Sequence, residues 1–91
     1  MDKITLSYEG KIIRNMLLYI FSESKKKNQR MIALTDIENK LSKHKNSVFP
    51  WCEWCCSAKV LEGNGTSFGI RRNLITMSYQ EFYQYIYSIY I

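Results

Sequence analysis

The chain reads as an α+β domain of order α-β-α-α-β-β-α, and three observations predict it. First, Ile12, Ile13, Met16, Leu17, Tyr19, Ile20 and Phe21 form an apolar stripe at helical spacing. Second, a short apolar run, Met31-Ile32-Ala33-Leu34, is followed by Ile37, Leu41 and Val48, placed where a compact helix pair would bury them. Third, Gly63-Asn64-Gly65-Thr66 opens a hairpin, because Gly and Asn readily take the positive φ that tight turns need.

The elements follow in order. Residues 9–22 form the first helix, with Ser7 as its cap and Gly10 weakening its first turn. Residues 22–30 are polar and basic and read as a loop. Residues 31–33 make an edge strand that pairs with the later hairpin. Thr35 and Glu38 have capping-box spacing, and the second helix runs to about Lys43. His44-Lys45-Asn46 is the turn, Ser47 a cap, and Pro50 fits the opening turn of a third helix that ends near Ala58. Val60-Leu61 can already be strand, and residues 68–77 return as the second hairpin strand, interrupted or bulged at Gly69 and Arg71-Arg72-Asn73. Ser78 caps a last helix over residues 79–90, with Glu81 in its first turn.

Ninety-one residues without linker, repeat or low-complexity tract form one domain, 1–91. A hydrophobic content of 46% is too high for a disordered tail. Charged and polar residues interrupt every apolar run before it reaches bilayer length, and the first residues lack the order of a signal peptide, so a cytoplasmic location is expected. The formal charge is +5, carried by three clusters: Lys25-Lys26-Lys27 with Arg30, Lys40, Lys43 and Lys45 with His44, and Arg71-Arg72. Basic clusters of this kind can neutralise a nucleic-acid backbone, or simply keep a small protein soluble.

Residues 31–62 and 74–86 resemble winged helix-turn-helix DNA-binding domains. The run Ile32-Ala33-Leu34-Thr35-Asp36-Ile37-Glu38-Asn39-Lys40-Leu41 is similar to the family's strand followed by T/S-x-x-I-x-x-x-L. Lys45-Asn46-Ser47-Val48 resembles the start of a recognition helix, and Leu74-Ile75-Thr76 the close of a wing. The resemblance implies a small transcriptional regulator that contacts duplex DNA, mostly through phosphates. Lys45, Asn46 and Ser47 would lie at the entry of the third helix, Lys43 on the backbone, and Arg71 and Arg72 on a basic wing. The pattern departs beyond Ser47, where Phe49, Pro50, Glu53 and Trp54 stand in place of polar or basic base-reading residues. That departure keeps open an alternative, a winged helix turned to protein contact through Trp54 and Phe49.

Cys52, Cys55 and Cys56 lie too close together to staple distant segments and read as reduced thiols. Trp51-Cys52-Glu53-Trp54-Cys55 has a W-C-x-x-C outline but lacks the strand before it and the proline after it that redox chemistry requires. A zinc site would need a second ligand pair, and the chain offers only His44. The remaining reading is that of small buried apolar side chains. No metal, no cofactor and no catalysis are expected, since paired acids, a nucleophile motif and a phosphate-binding glycine loop are all missing.

The last helix, with Phe82, Tyr83, Ile86, Tyr87, Ile89, Tyr90 and Ile91, is apolar on more than one face. One face can cover the first helix, and the other predicts a homodimer through the first and last helices; the alternative is a monomer whose tyrosine hydroxyls reach water.

Overall fold

The computed structural model describes residues 8–89. Their elements are α1 (Tyr8–Lys27), β1 (Ile32–Ala33), α2 (Leu34–Lys40), a 3-10 turn (Ser42–His44), α3 (Lys45–Ser57), β2 (Leu61–Gly63), β3 (Ser67–Ile70), α4 (Arg72–Ile75) and α5 (Tyr79–Ile89). This is an α+β architecture in which five helices surround a small antiparallel sheet of order β1-β3-β2. The expected cap at Ser7 lies outside the described residues.

α1 is the spine. Ile13, Met16, Leu17, Ile20 and Phe21 are buried along one side of it. The helix does not stop at 22 as the polar composition predicts. It runs to Lys27, because Ser24 continues the buried side and Glu23 pairs with Lys27 one turn on at 3.2 Å. Asn28 then takes the left-handed conformation (φ 51°), and Gln29 N–H donates back to the Ser24 carbonyl at 3.0 Å. That is a helix-ending turn suited to Asn.

The helix pair differs from expectation at both starts. The Thr35–Glu38 capping box does not form: α2 begins at Leu34, with Ala33 as a cap that makes no side-chain bond. Leu34 N–H donates instead to the Thr66 carbonyl of the hairpin at 2.9 Å, so a tertiary bond stands where a local one was expected. α2 closes at Lys40 and the 3-10 turn leads directly into α3 at Lys45. Ser47 is therefore a residue of the first helical turn and not a cap, and Pro50 lies inside the helix. A proline there leaves the carbonyl four residues back without an intrahelical donor. That residue is Asn46, which is exposed, so water can satisfy it.

α3 buries Val48, Trp51, Cys52 and Cys55. It ends in a turn of the same kind as α1, with Lys59 at φ 64° and Val60 N–H donating to the Cys55 carbonyl at 3.0 Å. The chain then enters the hairpin, with Leu61 opposite Ile70 and Gly63 opposite Phe68. Asn64 shapes the turn: its Oδ1 accepts from Thr66 N–H (3.1 Å), Thr66 Oγ1 (2.9 Å) and Ser67 N–H (3.3 Å), while Gly65 supplies φ +95°. On its other side β3 pairs with β1, Ile32 opposite Phe68.

The second hairpin strand is shorter than predicted. It ends at Ile70, where Arg71 N–H donates to the Val60 carbonyl at 3.0 Å, and the chain turns into the four-residue α4. The observed order thus gains a helix between sheet and α5. A reciprocal capping box opens α5: Ser78 N–H donates to Glu81 Oε1 at 2.9 Å, and Glu81 N–H to Ser78 Oγ at 3.1 Å. α5 then lies along α1 with the Phe82 ring stacked on Phe21 at 4.5 Å.

Candidate nucleic-acid interface

The three basic clusters have different fates in the fold. Most of the first is committed within the chain. Lys25 Nζ donates to the Met77 carbonyl at 3.0 Å and lies over the Phe21 ring, Lys27 pairs with Glu23, and Arg30 pairs with Glu62 of the hairpin. Lys25 and Arg30 thereby fasten the end of α1 and the approach to β1 to later parts of the chain, while the Lys27 pair stays within α1.

The third cluster is displaced from its expected place. Arg71 and Arg72 follow β3 at the foot of the hairpin, whereas the tip is Asn64, Gly65 and Thr66. Residues 61–70 carry Glu62 and neither Lys nor Arg, so this hairpin is not a basic wing. Arg71 is close enough to the Cys56 thiol to favour its ionised form electrostatically, which puts Arg71 beside the C-terminal half of α3. Lys45 opens that helix, eleven residues earlier, or roughly 16 Å along the axis at about 1.5 Å per residue. Arg71 therefore sits near the far end of α3 from Lys45, at the foot of the hairpin and not at its tip.

The second cluster remains available. Lys43 and Lys45 are exposed and have no ion-pair partner among the described residues. Lys40 lies over the Tyr19 ring at 5.6 Å, so it is anchored yet exposed. His44 is half-buried against Trp51, ring centroids 5.8 Å apart, and fixes the 3-10 turn on α3. Asn46 is exposed at the start of α3 and Ser47 is half-buried beside it. The α2–α3 turn thus presents cations and amide groups together on one end of the molecule.

A different surface lies between α3 and the hairpin tip. Phe49, Glu53, Cys56, Gly63, Asn64 and Gly65 line it. Phe49 is half-buried and meets Phe68 edge-on at 6.2 Å, and a Cβ at Gly65 would touch its ring at 3.9 Å, so Phe49 props the turn against α3. Glu53 is exposed and Trp54 half-buried against the core. The positions that would enter a major groove therefore offer an aromatic ring, a proline and a carboxylate.

Cys52 and Cys55 are fully buried and Cys56 is half-buried. Burial, more than the neighbouring thiols and Glu38, pushes the Cys52 thiol far above its ordinary value of 9.0, and burial with Glu53 raises Cys56 against the opposing pull of Arg71. The described residues contain no group of three or more His, Cys, Asp or Glu able to hold a metal ion. Two consequences are testable. In the native protein a thiol reagent modifies Cys56 slowly and leaves Cys52 and Cys55 intact until the chain is unfolded. The unfolded Cys52 thiol also ionises first as pH rises, so stability is full below 9.0 and is lost above it. Rapid native labelling of all three thiols at neutral pH, or stability that rises between pH 8 and 10, would sink this account.

Sequence reasoning missed Arg14, which is 9% exposed with its guanidinium 4.4 Å from the Tyr87 ring centroid. A lone Arg in the polar half of a predicted helix has no signal that separates it from a solvated one. Among the described residues, no helix is long and apolar enough to cross a membrane. No family model matches the chain, nor does any curated protein or solved structure.

Proposed function

We propose that the protein is a winged-helix module that binds duplex DNA through phosphate contacts, as a small transcriptional regulator does. The α2–α3 pair serves as the helix-turn-helix and β2–β3 as a short wing without basic residues. The observation that carries this reading is the pair Lys43 and Lys45, exposed and without ion-pair partners among the described residues at the start of α3. Asn46 and Ser47 sit with them, and a thirteen-residue helix without a side-chain cap begins at the same end, where its dipole favours an anion. Phe49, Pro50 and Glu53 offer little to base edges, so binding tolerates sequence and rests on the backbone.

The test is fluorescence anisotropy on a mixed-sequence duplex over several salt concentrations. Each phosphate contact adds about 0.9 to the slope of log affinity against log salt, so Lys43→Ala with Lys45→Ala flattens the slope by about 2. Arg71→Ala with Arg72→Ala leaves it essentially unchanged. An affinity indifferent to salt would overturn the DNA reading; a slope carried by the arginine pair would overturn its assignment to the α2–α3 turn.

The apolar and acidic surface between α3 and the hairpin tip supports a second reading, a winged helix used to hold a protein partner. On that reading Trp54→Ala abolishes partner capture in a folded domain, and duplex binding is absent even at low salt.

A further inference from the structure

Away from the α2–α3 turn, the outer side of the α1–α5 pair presents a row of tyrosines. Tyr79, Tyr83 and Tyr87 are 51%, 41% and 36% exposed, and they follow one another at i, i+4 and i+8. Each step along the row is one helical turn, about 6 Å of rise. The rings of Tyr83 and Tyr87 lean on each other at 5.6 Å.

Positive charge underlies both ends of the row. At the Tyr87 end the Arg14 guanidinium supports the ring, nine-tenths buried, and its Nη1 has no hydrogen-bond partner among the described residues. Among the described residues this guanidinium has no ion-pair partner, a costly state when buried, and an anion brought near it recovers part of that cost. At the Tyr79 end a pocket is lined by Phe21, Ser22, Lys25, Lys26 and Tyr79. Its apolar wall is Phe21 with Tyr79 edge-on at 6.4 Å; Lys25 is held on the Met77 carbonyl, and Lys26 is exposed. Of the nearby carboxylates, Glu23 is paired with Lys27, while Glu81 is exposed and held in the α5 cap.

We propose that this α1–α5 face is a binding site for single-stranded nucleic acid. Bases stack on Tyr79 and on the Tyr83–Tyr87 pair, and phosphates pass Lys26 and the field of Arg14. Exposed rings interleaved with cations are what sequence-tolerant single-strand binding requires, since every base has a π-face. The Tyr83 and Tyr87 rings lie 5.6 Å apart, wider than the roughly 3.4 Å spacing of stacked bases along each strand of a duplex, and a duplex hides the base faces that the rings would meet, so the row fits a single strand with accessible bases. A second copy of the chain is the poorer occupant, because it brings more cations than carboxylates to the face, Arg14, Lys25 and Lys26 against the exposed Glu81.

The probe is a labelled oligothymidylate, which has no duplex structure, titrated by anisotropy at low salt. The wild-type protein binds it, and Tyr79→Ala with Tyr83→Ala weakens binding roughly tenfold per ring removed. Both rings are only half exposed, so the variant melts somewhat lower but still in one cooperative transition, which separates lost binding from unfolding. Ultraviolet cross-linking of a bromouracil-substituted strand labels the peptide that contains residues 79–87. Lys43→Ala with Lys45→Ala reduces duplex binding but not oligothymidylate binding, so failure here is separable from failure of the duplex reading. Absence of oligothymidylate binding, or binding unaffected by loss of the two rings, overturns the proposal. So does capture by phosphatidylserine vesicles without oligothymidylate binding, which assigns the face to lipid headgroups. Self-association that needs Tyr83 and persists when oligothymidylate is added assigns it to a second copy and equally overturns it.

Discussion

Phe82→Ala lowers the stability of the domain by about 3–5 kcal/mol, the range for removing a buried aromatic ring from a packed core. Phe82 is fully buried, and its ring stacks on Phe21 at 4.5 Å with the planes only 12° apart. Both partners belong to long helices that would have to bend or slide to refill the space, so little of the cavity closes. In urea the midpoint falls sharply and the slope of the transition stays constant, because the same surface is exposed on unfolding. A loss below about 1 kcal/mol would mean that α5 is not docked on α1 as described.

Gly69→Ala is the second substitution with a large expected cost, about 3 kcal/mol or a failure to fold, near the top of the range for overpacking. Gly69 pairs with Glu62 inside the sheet and has an ordinary φ, so its requirement is space and not conformation. A Cβ there would collide with the carbonyl oxygen and carbon of Arg30 and approach Met31 Sδ to 3.0 Å. Backbone cannot swing aside as a side chain can, and this backbone leads straight into β1, whose Ile32 is registered on Phe68. Gly65→Ala is the informative control. Its site is open apart from Phe49 at 3.9 Å, so the cost comes from its φ of +95° alone, about 1–2 kcal/mol. Equal melting points for the two alanine variants would refute the close approach at Gly69.

The features legible in the sequence were those that depend on local chemistry. Periodicity placed α1 and α5, Gly63-Asn64-Gly65 placed the hairpin, and Ser78 with Glu81 marked a cap that forms as spelled. The helix pair was harder because its start signals mislead. Thr35 with Glu38, and Ser47 before Pro50, have the residue types of caps, yet α2 and α3 begin at Leu34 and Lys45 without side-chain caps. Tertiary bonds decide those positions, Leu34 N–H to the Thr66 carbonyl above all.

The charge pattern was legible as composition and not as availability. Nothing local announces that Lys25 will reach Met77, or that Arg30 will pair with Glu62, since each bond spans thirty residues or more. Once those pairs form, the cation inventory at the candidate site shrinks from three clusters to the α2–α3 turn. Arg71 was misplaced for the same reason: the bond to the Val60 carbonyl that ends β3 ties it to the foot of the hairpin.

The contact between the first and last helices governs how this chain must be made. Phe21 and Arg14 find Phe82 and Tyr87 only when α5 is present, so a helix made early in the domain waits for one made late. Until then Phe21 lacks the rings of Tyr79 and Phe82, and that side of α1 is an uncovered greasy strip on a nascent chain, open to chaperones and to other copies of itself. A ribosome stalled before residue 79 therefore carries a chain that a protease digests readily, and release of the last helix brings protection to the whole domain at once rather than in stages.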